Sequence, residues 1–355
     1  MKRICVSMEV LTPCFCAGAD QSRAEIQAPS IRGQLRWWFR VLNNHDTAFE
    51  RAVFGGVHKP ARASSLVTRV RNAPQKSAKK NLDDFGYKPG RDPQAYFLWP
   101  LRPTRQEPDL GRGVIETEGN SATFDLELLH RRINQGRTIP EATLKAFCYL
   151  GALGTRSRRG YGSLWPSAIK IDGVAQPIPD NETELGRELQ SILKGTNIRV
   201  LALDRTQSSA SAALDICADF LQTFRCGSSA FGQRPSPWGK NDHDVGLRGN
   251  GTVYRPVIGL PLTQRYRNAR RTIESGHGPK DEHRWASPVL LKVVRSGGGF
   301  LPISVFVPDM ALPDGEKIHL REKRGRGGSA TTSRELLEAM MEPDSRFWSS
   351  ATRLA

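Results

Sequence analysis

The sequence predicts an α+β protein made of two domains, each with strands and helices in the order βαββαβ. The chain has 355 residues, which is long enough for two domains that each bury a core of ordinary size. In the first half, segments with the two-residue alternation of strands and segments with helical periodicity follow one another. A strand, helix, strand order returns in the second half. We therefore expect a first domain at residues 1–172, a linker at 173–196 and a second domain at 197–355.

The elements of the first half follow from the spacing of apolar residues. Residues Arg3 to Val10 alternate between apolar and polar side chains, which predicts a half-buried strand. Ser30 is a favourable N-cap, and the apolar residues of a helix follow it as Ile31, Leu35, Trp38, Phe39 and Leu42. Other predicted elements are strands at Ser65–Arg71, Tyr96–Leu101, Thr123–Leu129 and Ser163–Ile171, and a helix at Glu141–Leu150. This order indicates the ferredoxin-like fold that RNA-recognition domains share, with long loop insertions such as the Lys-, Gly- and Pro-rich segment 72–93.

The second half repeats this theme, although no period is detectable residue by residue. Within the linker, residues Thr183 to Leu193 have the pattern of a short helix. The remaining predicted elements are strands at Ile198–Leu203, Pro288–Val294 and Leu301–Val307, and helices at Ala210–Phe224 and Ser333–Met341. The Gly-rich turn Ser296–Gly299 predicts a hairpin between the last two strands.

The net charge of +16 points to a polyanionic partner such as nucleic acid. The sequence has neither a long uncharged apolar run nor a signal-peptide pattern, so we expect a cytoplasmic protein that makes no membrane contact. Its six cysteines lack the spacing of a disulfide framework, and Cys14 with Cys16 lacks the second ligand pair that a zinc site needs. We expect reduced thiols, no metal and no cofactor.

Three arginines of the first helix are candidates for phosphate binding. Arg32, Arg36 and Arg40 are spaced at i, i+4 and i+8, which places them on one ridge beside the apolar stripe. Guanidinium groups in a row suit a run of phosphates. The alternative is a solvated helix edge. Trp37 lies off the apolar stripe and could stack on a base, whereas Trp38 and Phe39 are expected in the core.

A second candidate is the stretch GALGTRSRRGYGS, residues 151–163. It is not a phosphate loop of a nucleotide enzyme, because it has no Lys and because it lies between a predicted helix and a following strand. Its glycines would allow close approach of a nucleic-acid backbone beside Arg156, Arg158 and Arg159. The alternative is a tight helix-to-strand connection.

Catalytic groups are not evident, and we predict no catalytic residues. His277 and His283 flank Lys280 and Asp281, a set that a metal-independent ribonuclease could use. Asp242, His243 and Asp244 could ligate a cation, although a solvated turn is the more ordinary interpretation of three adjacent polar residues.

Four segments together resemble the RAMP superfamily of CRISPR proteins, and within it the subunit at the head end of the type III-B effector complex. They are TPCFCAGAD, APSIRGQLRWWFRVL, GALGTRSRRGYGSL and HRWASPVLLKVV, at residues 12–20, 28–42, 151–164 and 283–294. The resemblance implies two ferredoxin-like domains and a non-catalytic, RNA-binding role near the 3′ end of the guide RNA. It implies guide RNA, target RNA and the other subunits of the complex as partners.

The resemblance also implies which residues bind RNA. It carries over the helix positions Arg32, Arg36, Trp37 and Arg40, the loop positions Gly154, Arg156, Ser157, Arg158, Arg159 and Gly160, and Arg284. The main alternative is a guide-processing endoribonuclease of the same superfamily, which would need a general base such as a histidine near the loop. A purely architectural subunit is the third interpretation.

Overall fold

The computed structural model describes residues 1–57, 59–74, 78–117, 122–131, 138–226, 236–265, 270–275, 285–322, 327–343 and 345–355. It confirms a mixed α+β fold whose sheets are largely antiparallel. Within these residues, no helix combines the length and the apolar character that crossing a bilayer requires.

The first half forms a sheet with helices on its apolar face. Its strands are β1 (Lys2–Val10), β2 (Leu66–Arg71), β3 (Ala78–Lys80), β4 (Arg112–Val114), β5 (Ala122–His130), β6 (Leu164–Ile171) and β7 (Val174–Gln176). Its helices are α1 (Ala28–Leu42), α2 (Thr47–Phe54), α3 (Gln94–Leu98) and α4 (Glu141–Leu150). The main sheet has the order β2-β5-β1-β6-β7, and β3 pairs with β4 separately. The alternation in β1 buries Ile4, Val6, Met8 and Val10 as the sequence predicts.

The second half contains two sheets. Its helices are α5 (Glu182–Ile192), α6 (Ala210–Arg225), α7 (Pro237–Arg248) and α8 (Glu335–Met341). Its strands are β8 (Arg199–Ala202), β9 (Asn250–Val253), β10 (Leu262–Arg265), β11 (Arg270–Ser275), β12 (Val289–Ser296), β13 (Gly299–Phe306), β14 (Lys317–Glu322), β15 (Gly328–Thr332) and β16 (Thr352–Arg353). One sheet has the order β12-β13-β8-β16 and the other the order β10-β11-β14-β15-β9. The predicted hairpin is confirmed, because Ser296 pairs with Gly299.

The strand prediction at Tyr96–Leu101 is wrong. Residues Gln94–Leu98 form α3, and a short 3-10 turn follows at Trp99–Leu101. Local apolar content cannot separate a short strand from a buried helical turn. Packing decides this segment, because Phe97 and Leu98 are buried in a cluster with residues of α6, and Gln94 donates to Ser211 and Asp215 of the same helix.

The two halves share their apolar cores. One buried cluster joins Ile4 and Trp38 of the first half to Val200, Ile303 and Leu354 of the second. The other joins Phe15 and Tyr161 of the first half to a set from α6 and β12, including Leu214, Phe220 and Leu291. The predicted linker is itself structured, since it contains β7, which pairs with β6, and α5, which buries Leu185 and Leu189. The Gly-rich loop therefore lies at a seam where both halves are packed together.

Candidate nucleic-acid interface

Helix α1 forms because its apolar residues line one face. Ile31, Leu35, Trp38 and Phe39 are fully buried, as predicted for a helix packed on the sheet. The helix begins before the predicted Ser30, at Ala28, and Gln27 is its N-cap without a side-chain bond. Pro29 fits this first turn because no amide hydrogen is needed there.

The arginine ridge of α1 contacts α2. Arg36 Nε and Arg40 Nε and Nη2 all donate to the carboxylate of Glu50, the Arg40 Nε to Oε2 distance being 2.6 Å. Arg32 Nη2 donates to the carbonyl oxygen of Phe54. Although burial opposes it, the hydrogen bonds and charges of Arg40 and Arg36 lower the pKa of Glu50, which is only 2% exposed. The ridge therefore clamps α1 to α2, a contact that the sequence did not predict. The side chains of Arg36 and Arg40 remain 38% and 47% exposed.

Trp37 connects α1 to the Gly-rich loop. Its ring meets Trp38 edge-on at a centroid distance of 4.7 Å. The guanidinium carbon of Arg158 lies 5.2 Å from the centroid of a Trp37 ring, within cation–π range. Trp37 and Arg158 are 121 positions apart in the sequence, so the two segments that were predicted to act together are neighbours in space.

The glycines of the loop serve its own packing. Gly154, Gly160 and Gly162 have φ angles of +81°, +83° and +65°, which residues other than glycine rarely adopt. A Cβ atom on Gly160 would lie 2.5 Å from Leu214 Cδ2 of α6, and one on Gly162 would lie 2.0 Å from the carbonyl oxygen of Leu153. Gly154 is exposed, but a Cβ on it would lie 2.4 Å from the carbonyl oxygen of Phe15. The tight connection that the sequence left as an alternative therefore accounts for these glycines.

The loop is held against β12 by several polar contacts. Arg158 Nη1 donates to the carbonyl oxygen of Ser287 at 2.5 Å, and the Leu291 amide donates to the Arg158 carbonyl oxygen at 3.2 Å. The buried amine of Lys292 donates to the carbonyl oxygen of Gly151, and burial lowers the pKa of this amine well below its usual range. These contacts give Arg156, Ser157, Arg158 and Arg159 a fixed, half-buried position.

Three guanidinium groups and a phenol interact electrostatically beside the middle of this loop, and we call Arg156, Arg159, Arg225 and Tyr96 the seam cluster. Arg225, the last residue of α6, donates from Nη1 to the Tyr96 hydroxyl at 3.1 Å. Burial, and then the charge of Arg225, lower the pKa of Arg159 to about 9 and that of Arg156 to about 10. The buried Nη1 of Arg159 has no hydrogen-bond partner among the described residues.

No carboxylate in the described part of the chain forms a salt bridge with Arg156, Arg159 or Arg225. Arginine stays protonated at neutral pH even with such shifts, so three positive charges interact here with no salt bridge to a carboxylate of the described residues. Like charges held together cost free energy that a bound anion removes. The arrangement can therefore hold phosphate groups.

A comparison with protein families finds the RAMP superfamily over residues 7–165, the region that contains both α1 and the Gly-rich loop. This region of the chain belongs to the RAMP superfamily. The chain is 26% identical over 174 residues to the CRISPR system Cmr subunit Cmr1-2 of Pyrococcus furiosus, an alignment that covers 44% of this chain and 91% of that protein. It is 32% identical over 152 residues to Cmr subunit Cmr1-1 of the same organism, which covers 39% of this chain and 40% of that protein.

Solved structures share the fold of this chain. The crystal structure of Cmr1 from Pyrococcus furiosus in its apo form matches with a TM-score of 0.54 and 16% identity, covering 100% of this chain and 99% of that chain. A chain in the cryo-EM structure of the type III-B Cmr-beta complex bound to cognate target RNA matches with a TM-score of 0.50 and 12% identity, covering 96% and 98%. At these identities the likeness concerns the fold alone.

The RAMP sequence motifs did not reveal every residue of the seam cluster. Arg225 and Tyr96 come from α6 and α3, and neither has a sequence signal that separates it from other surface arginines and tyrosines. Arg284 lies outside the described residues, as do His277, Lys280, Asp281 and His283. The turn expected at Asp242–Asp244 is wrong, because these residues are part of α7. Asp242 is buried and accepts from Arg255 Nε at 2.9 Å, which explains its charge without a cation.

Proposed function

We propose that this RAMP protein is a non-catalytic, RNA-binding subunit of a cytoplasmic type III-B CRISPR effector complex. In this proposal it contacts the 3′ region of the guide RNA, the guide–target duplex, or both, and it assembles with the other subunits. The match to Cmr1 proteins supports the assembly, because their names place them in Cmr systems. The fold shared with a chain of an RNA-bound complex is consistent with it.

The seam cluster is the observation that carries the RNA-binding proposal. Its arginines come from both halves of the protein, and their charge is not compensated by salt bridges within the described residues. A phosphate backbone supplies the missing negative charge without requiring a base sequence. Arg158, Gly154 and Ser157 flank the cluster and complete the proposed contact surface, together with Trp37 on α1.

The ridge Arg32, Arg36 and Arg40 has a secondary part in the proposal. Each of these arginines already bonds to α2, so it can offer only its remaining N–H groups to a phosphate. Arg284 stays a predicted contact. The proposal therefore places the first RNA contact at the seam cluster and treats the ridge as an extension of it.

We also propose that each half is a ferredoxin-like domain, with boundaries at 1–172 and 197–355. The strand order β2-β5-β1-β6 and the order β12-β13-β8-β16 support it, because both follow the same pattern of second, third, first and fourth strand. In the second half, the sheet formed by β9, β10, β11, β14 and β15 would then be an insertion.

The proposal is tested by replacing Arg159 and Arg225 with Gln in the full chain. We expect affinity for single-stranded RNA of any sequence to fall at least about tenfold, and the slope of log affinity against log salt to flatten by roughly one for each lost contact. The control is Arg187→Gln with Lys194→Gln, which removes two charges from exposed positions at α5 and just beyond it. RNA binding is measured by fluorescence anisotropy at several salt concentrations.

Equal affinity and equal salt slope in the two double variants would reject the seam cluster as the RNA site. The endoribonuclease alternative has a separate test, which is incubation of the pure protein with repeat RNA in EDTA. Discrete cleavage that a histidine substitution abolishes would overturn the non-catalytic assignment.

A further inference from the structure

A cavity of about 380 Å³ opens at the first turn of α6, whereas Arg225 of the seam cluster is at the other end of this helix. Helix α6 has 16 residues, so Ala210 at its first turn and Arg225 at its end are roughly 22 Å apart at about 1.5 Å per residue. Three parts of the chain line the cavity, which are the end of β1, the insertion around Tyr87 and α3, and the second half through α6 and the β12–β13 hairpin. Ligand sites favour such junctions, and the volume is in the usual range for a small ligand.

One wall of the cavity is a flat, charged platform. The guanidinium carbon of Arg295 lies 4.4 Å from the centroid of the Phe300 ring. The carboxylate of Glu9 accepts from Arg295 Nη2 and, at 3.3 Å, from Nε, which fixes the orientation of the guanidinium group. The Arg295 side chain is 33% exposed, and its Nη1 has no hydrogen bond to any residue in the described part of the chain. A planar group with one unused donor edge therefore faces an accessible space.

The other walls combine apolar surface with hydroxyl groups. Leu11 and Leu214 are buried and supply apolar surface, and Pro13 is half-buried beside them. Ser208 is exposed and Thr117 is half-buried, and neither hydroxyl has a hydrogen-bond partner among the described residues. The charges of Glu9 and Arg295 cancel, so the cavity, unlike the seam cluster, does not select a phosphate.

A nucleobase has the shape and polarity that this cavity accommodates. Its faces are apolar enough to stack on aromatic rings and guanidinium planes, and its edge carries acceptors for an arginine donor and for hydroxyl groups. We propose that the cavity binds one unstacked base of single-stranded RNA, which stacks on the Arg295 guanidinium group that lies over the Phe300 ring, with the edge of the base toward the hydroxyl groups of Ser208 and Thr117. This proposal rests on the RNA-binding function proposed above, and it adds a base contact at a site separate from the phosphate contacts.

The test fills the cavity in the full chain with Ser208→Trp, whose starting residue is exposed and outside the apolar core. Ser191→Trp is the matched control, because it places the same side chain on an exposed position of α5 that does not line the cavity. The probe is a set of short single-stranded RNAs, each with 4-thiouridine at a different position. Each RNA is photo-crosslinked to the protein, and the crosslinked peptides are then mapped. A blunt RNA duplex serves as a second ligand.

We expect the unchanged protein and Ser191→Trp to crosslink in the peptides that contain Tyr87 or Phe300. Ser208→Trp should lose this crosslink and bind the single strand at least about fivefold more weakly, since stacking of one base accounts for such a factor. Its salt slope and its affinity for the duplex should not change. If Ser208→Trp matches Ser191→Trp in crosslinks and in single-strand affinity, the base site is wrong.

This outcome is distinguishable from failure of the phosphate site. The Arg159→Gln, Arg225→Gln variant should change the salt slope and keep the crosslink near Phe300 at saturating RNA. If this variant has the same salt slope as the unchanged protein and keeps the crosslink, the seam cluster is rejected as the phosphate site and the base site is not.

Discussion

At the residue scale, Glu50 changes how the arginines of α1 are interpreted. The i, i+4, i+8 spacing aligns Arg32, Arg36 and Arg40 but does not show what they face. The structure places a buried carboxylate from α2 between two of them, at 2.6 and 2.8 Å from nitrogen atoms of Arg40. A buried carboxylate requires such partners, because an unpaired one is costly in the interior. The contact between α1 and α2 therefore accounts for the alignment of these arginines without a bound ligand.

We predict that replacing Arg36 and Arg40 together with Ala lowers the free energy of unfolding by about 2 kcal/mol. This is below the usual cost of breaking a buried pair because both arginines are partly exposed. Urea denaturation measures the change, and adding Glu50→Gln should restore part of the loss, since it removes the stranded charge. A large fall in RNA affinity with unchanged stability would instead make the ridge a primary phosphate site.

At the element scale, the Gly-rich loop is a packed connection between α4 and β6. Its three glycines with positive φ, Gly154, Gly160 and Gly162, occur where carbonyl oxygens and Leu214 leave no room for a side chain. The arginines of the same loop then reach the seam because the backbone is fixed against β12. Glycines and arginines therefore occur together in this loop for two separate reasons. The glycines allow the tight packing of the backbone, and this fixed backbone positions the guanidinium groups at the seam.

We predict that Gly162→Ala destabilises the protein by several kcal/mol more than Gly173→Ala. Both glycines have positive φ, +65° and +86°, so both variants pay a similar backbone cost of about 1 kcal/mol. Only Gly162 has a backbone oxygen 2.0 Å from the new Cβ, whereas no atom lies within 4 Å at Gly173. Equal melting temperatures for the two variants would contradict the packing account of the loop.

At the scale of the whole molecule, the two halves cannot be separated without opening both cores. Val200, Ile303 and Leu354 of the second half are buried with the first sheet, and Tyr161 of the first half is buried with α6. The Tyr161 hydroxyl also donates to Gln94, which links the loop to α3. The seam cluster and the base cavity both depend on this junction.

We predict that the full chain unfolds in one cooperative transition, because each half stabilises the other through shared buried surface. Differential scanning calorimetry should give a calorimetric enthalpy equal to the van't Hoff enthalpy. A fragment of residues 1–196 should expose the surface that Val200, Ile303 and Leu354 cover, and should bind a hydrophobic dye. Two resolved transitions would show that the halves are independent.

The sequence by itself determined the pattern of buried and exposed residues in β1 and α1 and the positions of α4 and α6, because periodicity follows from helix and strand geometry. It also determined the RAMP motifs and the basic character of the loop. Only the tertiary structure decided which charges are already paired, such as those of Arg36 and Arg40, and which are not, such as that of Arg225. It also decided that Gln94–Leu98 is a helix. The physical reason is that charge compensation and short-element conformation depend on contacts between residues far apart in the chain, which local spacing does not encode.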